Sequence, residues 1–87
     1  MWYVYMLRCA DGSLYTGAAA DVEKRFAIHK SGRGAKYTRS HPPVAIVYRE
    51  ACDDKGAALR REAAIKKLPR AEKLKLAEGG NDERDDH

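Results

Sequence analysis

The chain has 87 residues, of which 44% are hydrophobic and 34% charged, with a formal net charge of +4. A chain of this length builds one domain. Its apolar content argues against general disorder, and its short apolar runs exclude a membrane span, which needs ~20 such residues. The charge is uneven: residues 78–87 carry five acidic side chains against Arg84, which leaves residues 1–77 with 16 basic and 8 acidic groups, a net of +8. A body that basic expects a polyanion, with nucleic acid first among the candidates, although basicity alone also suits an ordinary solvated surface.

In chain order, Trp2 to Arg8 is rich in aromatic and β-branched residues and reads as a strand buried on much of both faces. No basic stretch precedes it, so it does not read as a signal peptide. Cys9 and Cys52 are then expected to stay reduced in a cytoplasmic protein. Asp11-Gly12 marks a turn, and Leu14-Tyr15-Thr16 returns as a second strand. Asp21 is an N-cap for a helix over Val22–Lys30, whose apolar line is Val22, Phe26 and His29, and Ser31-Gly32-Arg33-Gly34 ends it.

Residues 32–43 read as a loop carrying Arg33, Lys36, Arg39 and His41. Val44–Tyr48 is a third strand. Asp53 or Asp54 caps a helix over Lys55–Lys67, and Pro69 opens a last short helix, Arg70–Ala77. Gly79-Gly80 then releases an acidic tail over residues 78–87 that is expected to be disordered. The order β-β-α-β-α-α makes a small α+β layer structure around a three-stranded sheet.

Several residues invite a chemical reading, each with a plain alternative. Tyr5 and Tyr15 stand ten residues apart in the hairpin, where tyrosine is common for reasons of strand preference alone. Arg25 and His29 share one edge of the first helix, which suits a snorkelling arginine and a packed histidine equally well. Glu62 interrupts the apolar stripe of Ala58 and Ile65. It is either a buried carboxylate in need of a partner or an outward group paired with Lys66.

Taken together, these positions resemble the GIY-YIG nuclease superfamily, in its small stand-alone bacterial branch. Tyr3-Val4-Tyr5 stands at the first motif and Tyr15-Thr16-Gly17 at the second. Arg25 and Glu62 stand where the family has its arginine and its metal-binding glutamate. Gly32 to Arg39 and Ala58 to Leu68 also resemble stretches of that branch, so the likeness spans residues 1–77. The chain departs from the pattern at Tyr3, which replaces the first glycine, and at Ala18, where some branches carry a lysine. It also lacks the asparagine that some branches have after the metal glutamate.

The resemblance implies a three-stranded antiparallel sheet flanked by helices, and hydrolysis of phosphodiester bonds with one divalent cation. Glu62 would hold Mg²⁺ or Mn²⁺, weakly without DNA, because such ions keep several waters and lean on substrate phosphates. Arg25 would neutralise charge in the transition state. Tyr5, helped by His29, would serve as general base with Tyr15 orienting water or phosphate, or the two tyrosines would exchange roles. Both must then face one side of the sheet, so their paired positions must sum to an even number. That requires a hairpin loop of three or five residues with Gly12 at positive φ.

DNA would be held mainly through phosphates by Arg33, Lys36, Arg39, Arg60 and Arg61, with Tyr37 stacking on an unpaired base. The implied function is a metal-dependent, structure-selective DNA endonuclease linked to repair or recombination. The alternative is a nucleic-acid binding module of the same fold with little turnover. A third reading is an interaction module in a larger repair assembly, whose protein partner the sequence does not identify.

Overall fold

The computed structural model describes residues 1–79; the acidic segment from Gly80 onward lies outside them. Its elements are β1 (Trp2–Cys9), β2 (Leu14–Ala19), α1 (Val22–Lys30), α2 (Lys36–Ser40), β3 (Pro43–Cys52), α3 (Lys55–Lys66) and α4 (Arg70–Glu78). The three strands form one antiparallel sheet in the order β2-β1-β3, so β2 is an edge and β1 the centre. Glu78, expected to begin the tail, is the last residue of α4. No helix among the described residues is long and apolar enough to cross a membrane.

β1 is buried on both faces because the sheet is a middle layer. Val4 and Met6 point one way and meet Tyr48 of β3 and Ile65 of α3, with Leu76 and Ala77 of α4 packed against them. Tyr5 and Leu7 point the other way and meet Ala19 and Val22, with Phe26 of α1 alongside. The period of two along a strand sorts the residues in this manner. β3 keeps its apolar groups on the correct sides through a register shift: Met6 pairs with Tyr48 but Leu7 with Ile46, so Ile46 and Tyr48 join opposite cores.

The hairpin has the register that the two tyrosines require. Tyr5 pairs with Gly17 and Leu7 with Tyr15, an even sum in each case, so Tyr5, Tyr15 and Gly17 share a face. The turn residues are Ala10, Asp11 and Gly12, closed by bonds from Cys9 N to Ser13 O and from Gly12 N to Cys9 O, both 2.8 Å, with Gly12 at φ +87°. Only a residue free of Cβ strain takes that backbone easily, and the odd loop length follows from it.

α1 starts where Asp21 accepts from Lys24 N at 3.0 Å, and α3 starts where Asp54 accepts from Ala57 N at 2.8 Å. Two expectations need correction. Residues 36–40, read as loop, form α2, a single helical turn whose buried residue is Thr38. The third strand does not stop at Tyr48 but runs to Cys52, because its polar end still pairs with β1 from Trp2 to Tyr5. Arg49 on that extension grips Glu23 of α1 with both guanidinium ends, at 2.6 and 3.1 Å, and so ties the helix to the sheet.

Candidate active site

The site forms along the outer edge of β2. Tyr15 and Gly17 lie on this strand, Tyr5 on its neighbour, Arg25 and His29 on α1, and Glu62 on α3. The packing of α1 and α3 on opposite faces brings their side chains to the same sheet edge.

Its centre is the pair Tyr5 and His29, both only 1% exposed. The Tyr5 hydroxyl lies 3.1 Å from His29 Nε2. Two glycines make room for this contact. A Cβ at Gly17 would stand 2.6 Å from the Tyr5 hydroxyl oxygen, and one at Gly34 would overlap the His29 ring, 2.8 Å from its Cγ.

Thr38 of α2 fixes the proton on the imidazole. Its hydroxyl donates to Ala35 O at 2.9 Å, which uses its one hydrogen. It therefore accepts from His29 Nδ1, 2.8 Å away. Nδ1 carries the hydrogen and Nε2 is left as an acceptor, so the Tyr5 hydroxyl donates to it. Ala35 N–H lies 3.4 Å from Nδ1 and has no acceptor there in this tautomer; it could bond to Nδ1 only in the other one.

The electrostatics of the pair are set by burial. Burial, followed by the nearby Tyr15, pushes the Tyr5 phenol up to about 12; Arg25 pulls it down and the Glu62 charge pushes it up. Burial and Arg25 together lower the His29 pKa, so the ring stays neutral at pH 7. These influences put Arg25 and Glu62 within electrostatic reach of the Tyr5 hydroxyl. Tyr15 leans on the His29 ring at 5.1 Å and continues into a stack, with Tyr37 at 6.1 Å and His41 at a further 4.1 Å.

Glu62 combines both readings left open by its sequence. Its side chain is 18% exposed, and its Oε2 accepts from Lys66 Nζ at 2.8 Å. Among the described residues no group of three or more His, Cys, Asp or Glu is placed to hold a metal. One hard carboxylate oxygen donor nonetheless fits Mg²⁺ or Mn²⁺, which take water and phosphate oxygens for the rest of their shell.

The expected DNA-binding residues divide. Arg33, Lys36, Tyr37 and Arg39 lie exposed on or beside α2, next to the site. Arg60, two residues after the buried Ala58, points to the outer side of α3 and away from the sheet. Arg61, expected to bind phosphate, also makes an ion pair: its Nε holds Glu50 at 3.0 Å, and the bonds to Glu50 and Tyr48 raise its pKa further. It ties α3 to β3. Thr38, Gly34 and Ala35 were not recognised as parts of the site, although they lie in the stretch from Gly32 to Arg39. Charge and family resemblance mark that stretch, and neither reveals a hydroxyl aimed at a ring nitrogen.

Comparison with known proteins places the chain in a family. The model of the GIY-YIG catalytic domain matches residues 1–75. A UPF0213 protein of Staphylococcus saprophyticus is 53% identical over 78 residues, covering 90% of this chain and 95% of that protein. One from Haloquadratum walsbyi is 51% identical over 80 residues, covering 92% and 90%. The solution NMR structure of a UPF0213 protein from Bacillus halodurans is similar, with 43% identity, a TM-score of 0.58, and coverage of 94% of this chain and 88% of that one.

Proposed function

Since the chain belongs to the GIY-YIG catalytic domain family, a nuclease family, we propose that it is a metal-dependent DNA endonuclease that hydrolyses phosphodiester bonds. We propose further that it selects DNA by structure, in the cytoplasm, in repair or recombination. The observation that carries the reading is the hydroxyl–imidazole pair of Tyr5 and His29, bonded at 3.1 Å with Arg25 and Glu62 acting on it.

Each residue has work it can do. Tyr5 need not exist as a free phenolate: it passes its proton to His29 Nε2 while its oxygen takes one from the attacking water. This matters because a phenol held at about 12 is almost wholly protonated near neutrality. Thr38 keeps Nε2 ready to receive that proton. Tyr15, tilted against the ring, orients water or phosphate. Arg25 places a fixed positive charge where negative charge grows on the phosphoryl oxygens. Glu62 would hold Mg²⁺ or Mn²⁺, which when bound supplies charge neutralisation at the phosphate. Arg33, Lys36 and Arg39 would draw the DNA backbone to the site.

A second reading, a binding module with little turnover, is favoured by Ala18 in place of a lysine found in some branches and by the high Tyr5 pKa. Nicking of branched, single-stranded and duplex DNA with Mg²⁺ or Mn²⁺ separates the two. Arg25→Ala and Glu62→Ala are each expected to lower the rate about 10²–10³-fold while DNA affinity stays within a few-fold. Unchanged nicking in these variants would refute the assigned site. Binding without any cleavage by the wild type would establish the second reading.

A further inference from the structure

We propose that the outer edge of β2 is a track for a short unpaired DNA strand, with Trp2 as a base-stacking platform at one end. The track takes its centre from the nuclease reading above.

Two grooves line this one edge strand, one on each side of the catalytic centre. The first, about 520 Å³, is lined by Trp2, Ala18, Ala20, Lys24 and Arg25 among others. The second, about 270 Å³, is lined by Tyr15, Tyr37, Lys66 and Lys73 with the start of β2. Gly17, over which the Tyr5 hydroxyl lies, sits between them on the strand. From Leu14 to Ala20 the edge measures about 20 Å at ~3.3 Å per residue, enough for a few nucleotides in an extended strand.

The two grooves share a chemistry. Each sets aromatic surface beside cationic side chains: Trp2 with Lys24 and Arg25, then Tyr15 and Tyr37 with Lys73 and with Lys66, whose ammonium pairs with Glu62 until Glu62→Gln releases it. Rings that stack bases, alternating with charges that hold phosphates, are how proteins grip single strands without reading sequence. A paired base already has neighbours on both faces, so a stacking platform selects unpaired ones.

The floor of the first groove is open because Ala18, Ala19 and Ala20 carry only methyl groups. Ala18 stands where some branches of the family carry a lysine, so that departure gives the groove its depth. Asp21 also lines it, but its carboxylate is engaged in capping Lys24 N at 3.0 Å. Lys55 stands 5.5 Å above the Trp2 ring and adds a further cation at that end.

The chain has a single tryptophan, so indole fluorescence reports the platform directly. The full chain carrying Glu62→Gln, without metal, is titrated with a short oligothymidylate and with a hairpin duplex of equal length. Oligothymidylate is expected to quench Trp2, and Trp2→Ala to weaken its binding about 5- to 150-fold, with duplex affinity changed less than about two-fold. Ala20 is exposed, so Ala20→Glu leaves the core intact; it too is expected to weaken oligothymidylate selectively.

Unmoved fluorescence, together with an unchanged affinity in Ala20→Glu, would overturn the track. Equal losses on duplex and oligothymidylate would overturn its preference for unpaired DNA. The wild type's nicking is read separately. Quenching that persists where nothing is cut leaves the track standing and removes the nuclease reading, whereas cutting without quenching does the reverse.

Discussion

Thr38→Val removes one oxygen atom and should change the chemistry two residues away from it in the relay. Thr38 is 1% exposed, accepts from His29 Nδ1 at 2.8 Å and donates to Ala35 O at 2.9 Å. Valine replaces the hydroxyl with a methyl group, which leaves a buried ring N–H and a carbonyl without that partner. Each such loss costs about 1–3 kcal/mol. The ring has an escape: with Ala35 N–H already 3.4 Å from Nδ1, moving the proton to Nε2 lets Nδ1 accept from it. We expect this to recover part of the penalty, for a net loss of about 1–2 kcal/mol.

The recovery has a functional consequence, because an Nε2 that carries hydrogen can no longer take the proton of Tyr5. Nicking should then fall about 10²–10⁴-fold, the usual worth of general base catalysis. Thr38→Ser keeps the hydroxyl and should retain the relay, losing about 0.8 kcal/mol for its methyl group. Urea denaturation gives the stability, and ¹⁵N NMR of the imidazole gives the tautomer directly. A Thr38→Val protein whose His29 still carries its hydrogen on Nδ1, or which nicks as fast as the wild type, would refute the reasoning.

Two further outcomes follow from the same centre. Gly17→Ala places a methyl group 2.6 Å from the Tyr5 hydroxyl oxygen and 2.7 Å from Cζ, inside contact distance and against a ring that is 1% exposed. It should cost about 1–3 kcal/mol and break the bond to His29; a urea midpoint equal to that of the wild type would show that Tyr5 is free to move. The pH dependence has a definite sign. The folded pKa of His29 is lowered by burial and Arg25, so the unfolded chain takes up its proton first as the pH falls. The associated stability is present above the unfolded pKa of about 6.5 and is lost as the pH drops toward the folded value. Urea titrations from pH 8 to pH 5 should therefore show a steeper loss for the wild type than for His29→Gln, and parallel curves would exclude this linkage.

Much of the frame was written locally. The turn at Asp11-Gly12, the cap at Asp21, a cap at Asp53 or Asp54 (the fold uses Asp54), and the helix start after Pro69 each depend on a few adjacent residues whose backbone preferences hold in any context. The parity of the hairpin is set by the same turn: its three residues put Tyr5 and Tyr15 on one face. Other features were decided by residues that meet only after folding. β3 runs to Cys52 because β1 offers it a partner, although its polar end has little strand character of its own. Arg61 resembled its basic neighbours until Glu50, on another element, claimed it. Glu62 lies between core and surface because α3 packs beside an edge strand, where a stripe residue is shielded while its carboxylate still reaches Lys66. The proton on His29 is the clearest case. Thr38 controls it from a separate helical turn nine residues on, and a single hydrogen bond of that kind has no periodicity or composition by which a sequence could announce it. Local preference is additive along the chain, whereas the placement of a proton depends on distances that only the packed structure sets.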